Sequence, residues 1–477
     1  MEESRNETQP SASSRRKKKS KFQQFKETYL PFVIIVLALI FILVCIIGAI
    51  TRGVQKNRAE KQAAIDSALA QQQELANLAA EERDLLARAE ILAANYDYDG
   101  ALALLNTFSG EMSLYPNISN RVTEYANAKN QLVAWDDPSQ IVTLSFQMLV
   151  QDLYMGLKHA DYAQAINRNF ISTGEFSMIL QQLYDNGYVL VRPSDFIDSM
   201  VADDGQIVYS SKTIYLPAGK KPLMLTETNV NYNTYLIDSD GDKLADKDGG
   251  GFASKLILDA AGNITCEMVN RDGQTVTGAF DLVPILDAFV EAHPDFSYRG
   301  AKAVLALTGY DGLFGHRTNP GAIEQFGQEA YDEAIRNASA IAERLRETGY
   351  VLACYTYDNI AYGNESVSGM DDDLKRWNNE VVPILGQIDI LVFAQNSDIT
   401  DGITYSGEKY ELLKTYGFNH FIGFCEENNG MFYADTGYVH QGRILVTGSN
   451  MAYKSDWFAG MFTSNNILDP NRGIVPN

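Results

Sequence analysis

The sequence predicts an α/β fold of parallel strands wrapped by helices, set behind one transmembrane helix and a short all-helical spacer. Three observations predict it. Leu30–Ile50 is a run of 21 residues without a charge. Residues 55–106 are rich in Ala, Leu, Glu and Gln and hold no proline, which favours helix. From residue 139 onward, apolar strand-like runs end in polar residues and give way to helical patterns, as in a barrel or a doubly wound sheet.

The apolar run comes first. At about 1.5 Å per residue it spans roughly 30 Å, the thickness of a hydrocarbon core. Pro31 suits a first helical turn, and no small-residue cleavage site follows. Eight Lys/Arg precede the run and four follow it by Lys61. The positive-inside rule therefore predicts a basic cytoplasmic tail (1–28), a membrane anchor (29–51), and the bulk of the chain outside the cell. Residues 1–61 hold 12 Lys/Arg against 5 Glu, a net +7, leaving −29 for the rest of a total of −22. So acidic a body repels phosphate backbones and argues against nucleic acid as a partner. Four cysteines without CxxC spacing argue for free thiols rather than a disulfide framework or zinc knuckle.

The spacer (52–134) carries one modest apolar stripe, Ile65, Leu69, Ala76, Ala79 and Leu86. Residues 87–105 read as helix, turn at Asp97–Gly100, helix. This resembles part of a tetratricopeptide-type hairpin, although a stacked solenoid needs about three repeats. A boundary falls near Trp135–Pro138, and one domain then fills 135–477. Its strands are expected at 141–146, 188–191, 223–226, 303–308, 351–354, 388–393 and 418–424. Helices are expected at 175–186, 282–292, 330–348, 374–385 and 410–416. Ser172-Thr-Gly-Glu175 has capping-box spacing. An acidic, loop-rich insertion occupies about 234–280.

The polar strand ends are where ligands sit in such folds. KPLMLTETNVNYNTY (221–235) shows this best: Leu223–Leu225 stops abruptly in Thr226, Glu227, Thr228, Asn229 and Asn231. Four further stretches carry the same pattern in order: 175–191, 293–318, 341–359 and 373–393. Together they resemble the polysaccharide deacetylase (NodB-homology) family over roughly 139–461. The resemblance implies a distorted (β/α) barrel, with one divalent metal held by an Asp and two His, a second Asp as general base and a later His as acid. Metal and base together lower the pKa of a water and polarise the acetamide carbonyl.

That machinery is absent from the matching positions. Where the family has T-F-D-D, this chain has Thr226-Glu227-Thr228-Asn229. Where it has H-S-x-x-H, this chain has Tyr355-Thr356-Tyr357-Asp358-Asn359. Phe146-Gln147 replaces an aromatic–His pair, and Ala394-Gln395-Asn396 replaces a Pro-Tyr-Gly motif. The carboxylates left at these two tips, Glu227 and Asp358, suit a weak Mg²⁺ or Ca²⁺ rather than a zinc-type site, so no transition metal is expected.

Other groups were weighed as binding sites. Asp238, Asp240, Asp242 and Asp246 alternate as in short calcium loops, with Lys243 where a turn glycine is usual. Ca²⁺ is the one cofactor so suggested. Among 26 tyrosines, Tyr232 and Tyr310 lie near strand ends with Asn231, His316 and Arg317. Aromatic faces beside amides and cations suit sugar rings, which makes these five the ligand-binding candidates.

The expected function is thus a membrane-anchored, extracytoplasmic, catalytically degenerate deacetylase-like protein. It would bind cell-wall polysaccharide or scaffold envelope proteins, in the bacterial envelope that the resemblance implies. Two alternatives use the same chain. One is a divergent amide hydrolase with a rearranged metal site, which requires three of Glu227, Asp358, His316 and Asp373 to converge. The other is a protein-interaction module acting through the spacer.

Overall fold

Alternation along the strands decides the architecture. The computed structural model describes residues 29–425 and 431–477. The basic tail read over 1–28 lies outside the described residues. The main strands are β1 (Val142–Gln147), β2 (Tyr188–Leu190), β3 (Lys221–Thr228), β4 (Ala303–Leu307), β5 (Val351–Cys354), β6 (Ile390–Val392), β7 (His420–Phe424) and β8 (Tyr438–Leu445). Seven of them form a closed parallel barrel in the order β1–β3–β4–β5–β6–β7–β8 and back to β1. Closure excludes the doubly wound alternative. The ring is uneven at β3, whose one edge serves two neighbours. β2 pairs with its start (Leu190↔Leu223) and β4 with its end (Ala306↔Thr228).

Successive residues point to opposite faces of a strand. Leu223, Leu225, Leu305, Leu307, Leu391 and Phe421 belong to the large core between barrel and helices. Met224, Val304, Ala306, Ala353, Val392 and Ile422 fill the barrel interior. Polar residues share that interior. The Gln441 amide donates to Thr143 Oγ1 at 3.2 Å, and its Oε1 lies 2.8 Å from His420 Nε2.

The helices follow from local signals. α1 (Leu30–Ala94) is long and apolar enough at its start to cross a membrane. Contacts divide the chain into one unit up to Arg83 and a second from Asp84, so the expected spacer falls across both. Within the second unit, α1 buries Leu85, Ala89 and Ala93. The chain then turns at Asn95–Asp97 into α2 (Tyr98–Leu105), with α3 (Pro116–Asn130) packed on it. The turn comes earlier than expected because Asp97 caps α2, accepting from Gly100 N at 3.1 Å.

α4 (Thr173–Asp185) opens with the expected capping box: Ser172 Oγ accepts from Glu175 N, and Glu175 Oε2 from Ser172 N. α5 (Leu282–Ala292), α6 (Gln328–Glu347) and α7 (Val367–Arg376) follow. The single helix expected over 374–385 is instead the end of α7, a π turn at Trp377–Val381 and a short helix, Val382–Leu385. Pro383 lacks the N–H that would continue the ladder. The insertion is more ordered than expected, holding an antiparallel sheet of Lys255–Leu258, Ile264–Val269 and Thr275–Gly278. A hairpin of Ile197–Val201 and Ile207–Ser211, and strand β8, were not expected. All four cysteines are free.

Candidate functional site

The carboxyl ends of the barrel strands form the mouth, and an arginine occupies it from within. Arg443 lies on the inward face of β8 and is fully buried. Its Nε donates to Ser145 Oγ at 3.2 Å. Nη1 donates to the Ile422 and Gly423 carbonyls at 3.2 and 3.4 Å. Nη2 donates to the Phe393 carbonyl at 3.0 Å and Asn396 Oδ1 at 3.4 Å. These acceptors belong to β1, the ends of β6 and β7, and the turn after β6. Burial pulls the guanidinium below its ordinary pKa, and the neighbouring Tyr355 hydroxyl favours the charged form. An arginine keeps its proton in such surroundings.

Tyr355 follows the end of β5, beside this fixed positive charge. A second cation brought to the mouth would meet that charge. Like charges at such range repel strongly in a poorly solvated interior. The other strand tips hold the fold together. Thr228 donates to the Phe146 carbonyl at 3.2 Å. Asn229, Thr356, Asn359, Gln395 and Asn396 all take positive φ (53° to 66°), bending the chain at the strand ends. For the β-branched Thr356 that conformation is an outlier. The Asn229 backbone N–H donates to the Ala306 carbonyl at 2.8 Å.

The two remaining tip carboxylates are not brought together. Glu227 follows Leu223 and Leu225 onto the outward face of β3, where it is fully buried. Its neighbour is Asp281, the cap of α5, whose Oδ1 accepts from Leu149 N at 2.8 Å and Leu282 N at 2.9 Å. Burial first, then the charge of Asp281, push Glu227 well above the usual carboxylate range. Burial also raises Asp281, while the nearby Tyr232 hydroxyl and the bonds from the Leu149 and Leu282 N–H groups pull it back. Both carboxyls are thus pushed toward the neutral form, Glu227 the further of the two. Asp358 instead reaches outward to a surface ion pair with Arg376. Asp373 accepts from the Tyr357 and Asp358 backbone N–H groups, each at 2.8 Å, and from the Tyr362 hydroxyl at 2.6 Å.

Of the ligand-binding candidates, four are built into the fold. The Asn231 amide donates to the Thr308 and Gly312 carbonyls, and its Oδ1 accepts from Thr308 N. Tyr232 is buried beside Asp281. His316 Nε2 lies 2.9 Å from the Leu256 carbonyl, toward the insertion sheet, and burial lowers its pKa. Arg317 donates to the Asp311 and Tyr232 carbonyls at 2.7 and 3.0 Å. Tyr310 stays partly exposed. In the acidic loop, Asp238, Asp240 and Asp246 each bring one oxygen within 4.8 Å of the others; among the described residues no other three His, Cys, Asp or Glu do so. Asp242 lies outside that group, accepting from Leu244 N at 2.8 Å.

Sequence reasoning missed Arg443 and Asp281. A capping signal was available for Asp281, which directly precedes the apolar LVPIL of α5. For Arg443 the signal was faint: YVHQGRIL alternates, but with Gln and Arg on its inward face.

No protein-family profile matches the chain, and no curated protein matches it. Among solved structures it is similar to the Streptococcus pyogenes deacetylase PplD in complex with acetate. The identity is 13% and the TM-score 0.32, covering 65% of this chain and 93% of that one.

Proposed function

We infer that this protein is a membrane-anchored, outward-facing binding protein built on a deacetylase-like barrel whose catalytic centre has been replaced. It binds cell-wall glycan or scaffolds envelope proteins, and it does not hydrolyse amides. The observation that carries the reading is Arg443. Its buried guanidinium is bonded to three strand-end carbonyls, a serine and an asparagine at the barrel mouth. A site that already holds a permanent cation has no need of a metal and disfavours one.

The neutral residues at the matching positions agree with this. Thr228, Asn229, Tyr355 and Asn359 bring no negative charge to offset a divalent ion. Against the rearranged hydrolase, no three of Glu227, Asp358, His316 and Asp373 bring ligand atoms together among the described residues, although Asp358 N–H donates to Asp373.

The test is acetate release by the full-length protein in detergent. Substrates are N-acetylglucosamine oligomers and peptidoglycan, with and without added Zn²⁺, Co²⁺ or Ni²⁺. Release no greater than the protein-free blank is expected. Metal-dependent release abolished by a chelator would overturn the reading.

A further inference from the structure

We propose that the cavity between the β1 loop, the insertion sheet and the C-terminal tail is a binding groove for a neutral oligosaccharide. The proposal rests on the glycan-binding reading above and moves the ligand's seat away from the barrel centre. The groove measures about 960 Å³, at the upper end of ordinary small-molecule sites of ~300–1,000 Å³. It opens at the carboxyl-end face of the barrel, where ligands of such folds sit. None of the strand tips 226–229 or 355–359 lines it.

The lining has the mixed character that sugars require. Leu153, Met268, Val276 and Phe280 give apolar surface for the C–H faces of a pyranose. Gln151, Asn270 and Asn471 bring side-chain amides from three separate segments, suited to hydroxyl and acetamido groups that both donate and accept. Tyr154, half-exposed, has the Lys158 ammonium 3.8 Å and the Arg271 guanidinium 4.5 Å from its ring centroid, an aromatic–cation cluster in the lining. The charges in the lining cancel: Asp152 and Asp469 against Lys158 and Arg271. In a body carrying −29 beyond the N-terminal segment, such local neutrality favours an uncharged ligand over a polyanion or a polycation.

The walls are also held in place before any ligand arrives. Arg271 is ion-paired to Asp152, tying the insertion to the β1 loop. The N–H groups of Gln151 and Asp152 both donate to the Gly251 carbonyl at 2.9 Å. Gly251 itself needs to be glycine: its φ is +77°, and a Cβ there would lie 2.2 Å from the Asp152 carbonyl oxygen. Asn270 Oδ1 accepts from Asp272 N and Gln274 N, which fixes its amide. The tail is anchored by Arg472, buried against Glu175 at 2.6 Å. Such preorganisation lowers the ordering cost of binding.

Gly174 offers a direct probe. It lines the groove, and a Cβ there would meet only Ser172 Oγ, at 3.9 Å. A large side chain at this position can enter the groove without displacing the wall. Full-length protein in detergent is titrated by calorimetry with an N-acetylglucosamine tetrasaccharide and with a galacturonate tetrasaccharide. Thermal unfolding checks that each variant is folded. The wild type is expected to bind the neutral sugar more tightly than the anionic one. Gly174→Trp should weaken that binding at least about tenfold, and Asn471→Ala about three- to tenfold through one lost hydrogen bond. Gln395→Ala, at the exposed turn of the barrel mouth, should stay within about twofold.

If folded Gly174→Trp and Asn471→Ala bind like the wild type, the groove is not the seat, and the glycan-binding reading survives elsewhere on the molecule. If the wild type prefers the anionic sugar, the proposed ligand class is overturned. If it binds neither sugar, the groove proposal falls together with glycan binding.

Discussion

Two buried charged sites lie on the inner and outer faces of one barrel wall, and they solve the same problem in opposite ways. Inside, Arg443 keeps its charge and surrounds it with five acceptors from β1, β6, β7 and the turn after β6. Outside, Glu227 and Asp281 lie buried together, and both carboxyls are pushed toward the neutral form instead. Glu227's oxygens and Asp281 Oδ2 find no well-aligned protein partner among the described residues. The inner site is saturated and the outer one under-satisfied. A guanidinium cannot shed its proton, so the fold must supply acceptors; a carboxyl can be neutralised, so fewer bonds suffice.

The largest expected effect comes from breaking the saturated side. Arg443→Met leaves buried acceptors without their donor and should destabilise the barrel by about 3–5 kcal/mol. Arg443→Lys keeps the charge but loses the planar fork and should cost roughly half as much. Urea unfolding followed by intrinsic fluorescence reads both. A wild-type midpoint in Arg443→Met would show that the guanidinium does not hold the strand ends together.

The outer pair is sharpened by pH. Glu227's folded pKa lies above its unfolded value, so the native state holds a proton that the unfolded chain releases above about pH 4. Its contribution is therefore full below the unfolded pKa and declines as pH rises toward the folded one, by about 1.4 kcal/mol per pH unit. Glu227→Gln removes this slope while leaving that of Asp281 in place. The stability difference between variant and wild type should grow from pH 5 to pH 7. A difference that stays constant over that range would mean Glu227 is ionised in the native protein.

The smallest effect belongs to the exposed partner of the comparison. Asp358 and Arg376 form a surface ion pair with side chains 38% and 45% exposed. Asp358→Asn should change stability by no more than about 1 kcal/mol. A change of several kcal/mol would show that Asp358 belongs to a buried network.

The same contrast explains what the sequence could reveal. Outward-facing barrel positions are apolar and sit under helices, so β1, β3, β4 and β5 could be read within a few residues. β8 was invisible because its inward positions are Gln441 and Arg443, which break the apolar pattern expected of a buried strand. The crevice was misjudged for a related reason. Thr226, Glu227, Thr228 and Asn229 were read as one polar tip facing a ligand, whereas period-two alternation sends Glu227 to the outer face beside Asp281. That partner lies over 50 residues away in sequence, and spacing alone does not show such a contact. The insertion looked loop-rich because its strands are short and interrupted by Gly262 and Gly273, which take positive φ in tight turns.

The central claim of the proposed function is that a fixed arginine, rather than a metal, fills the barrel mouth. Metal content of the full-length protein, purified without chelator and dialysed against Zn²⁺, Co²⁺ or Ni²⁺, tests it most directly. The account predicts no transition metal retained at the mouth, with wild type and Tyr355→Phe alike in content. One equivalent retained by the wild type and lost in Tyr355→Phe would contradict it.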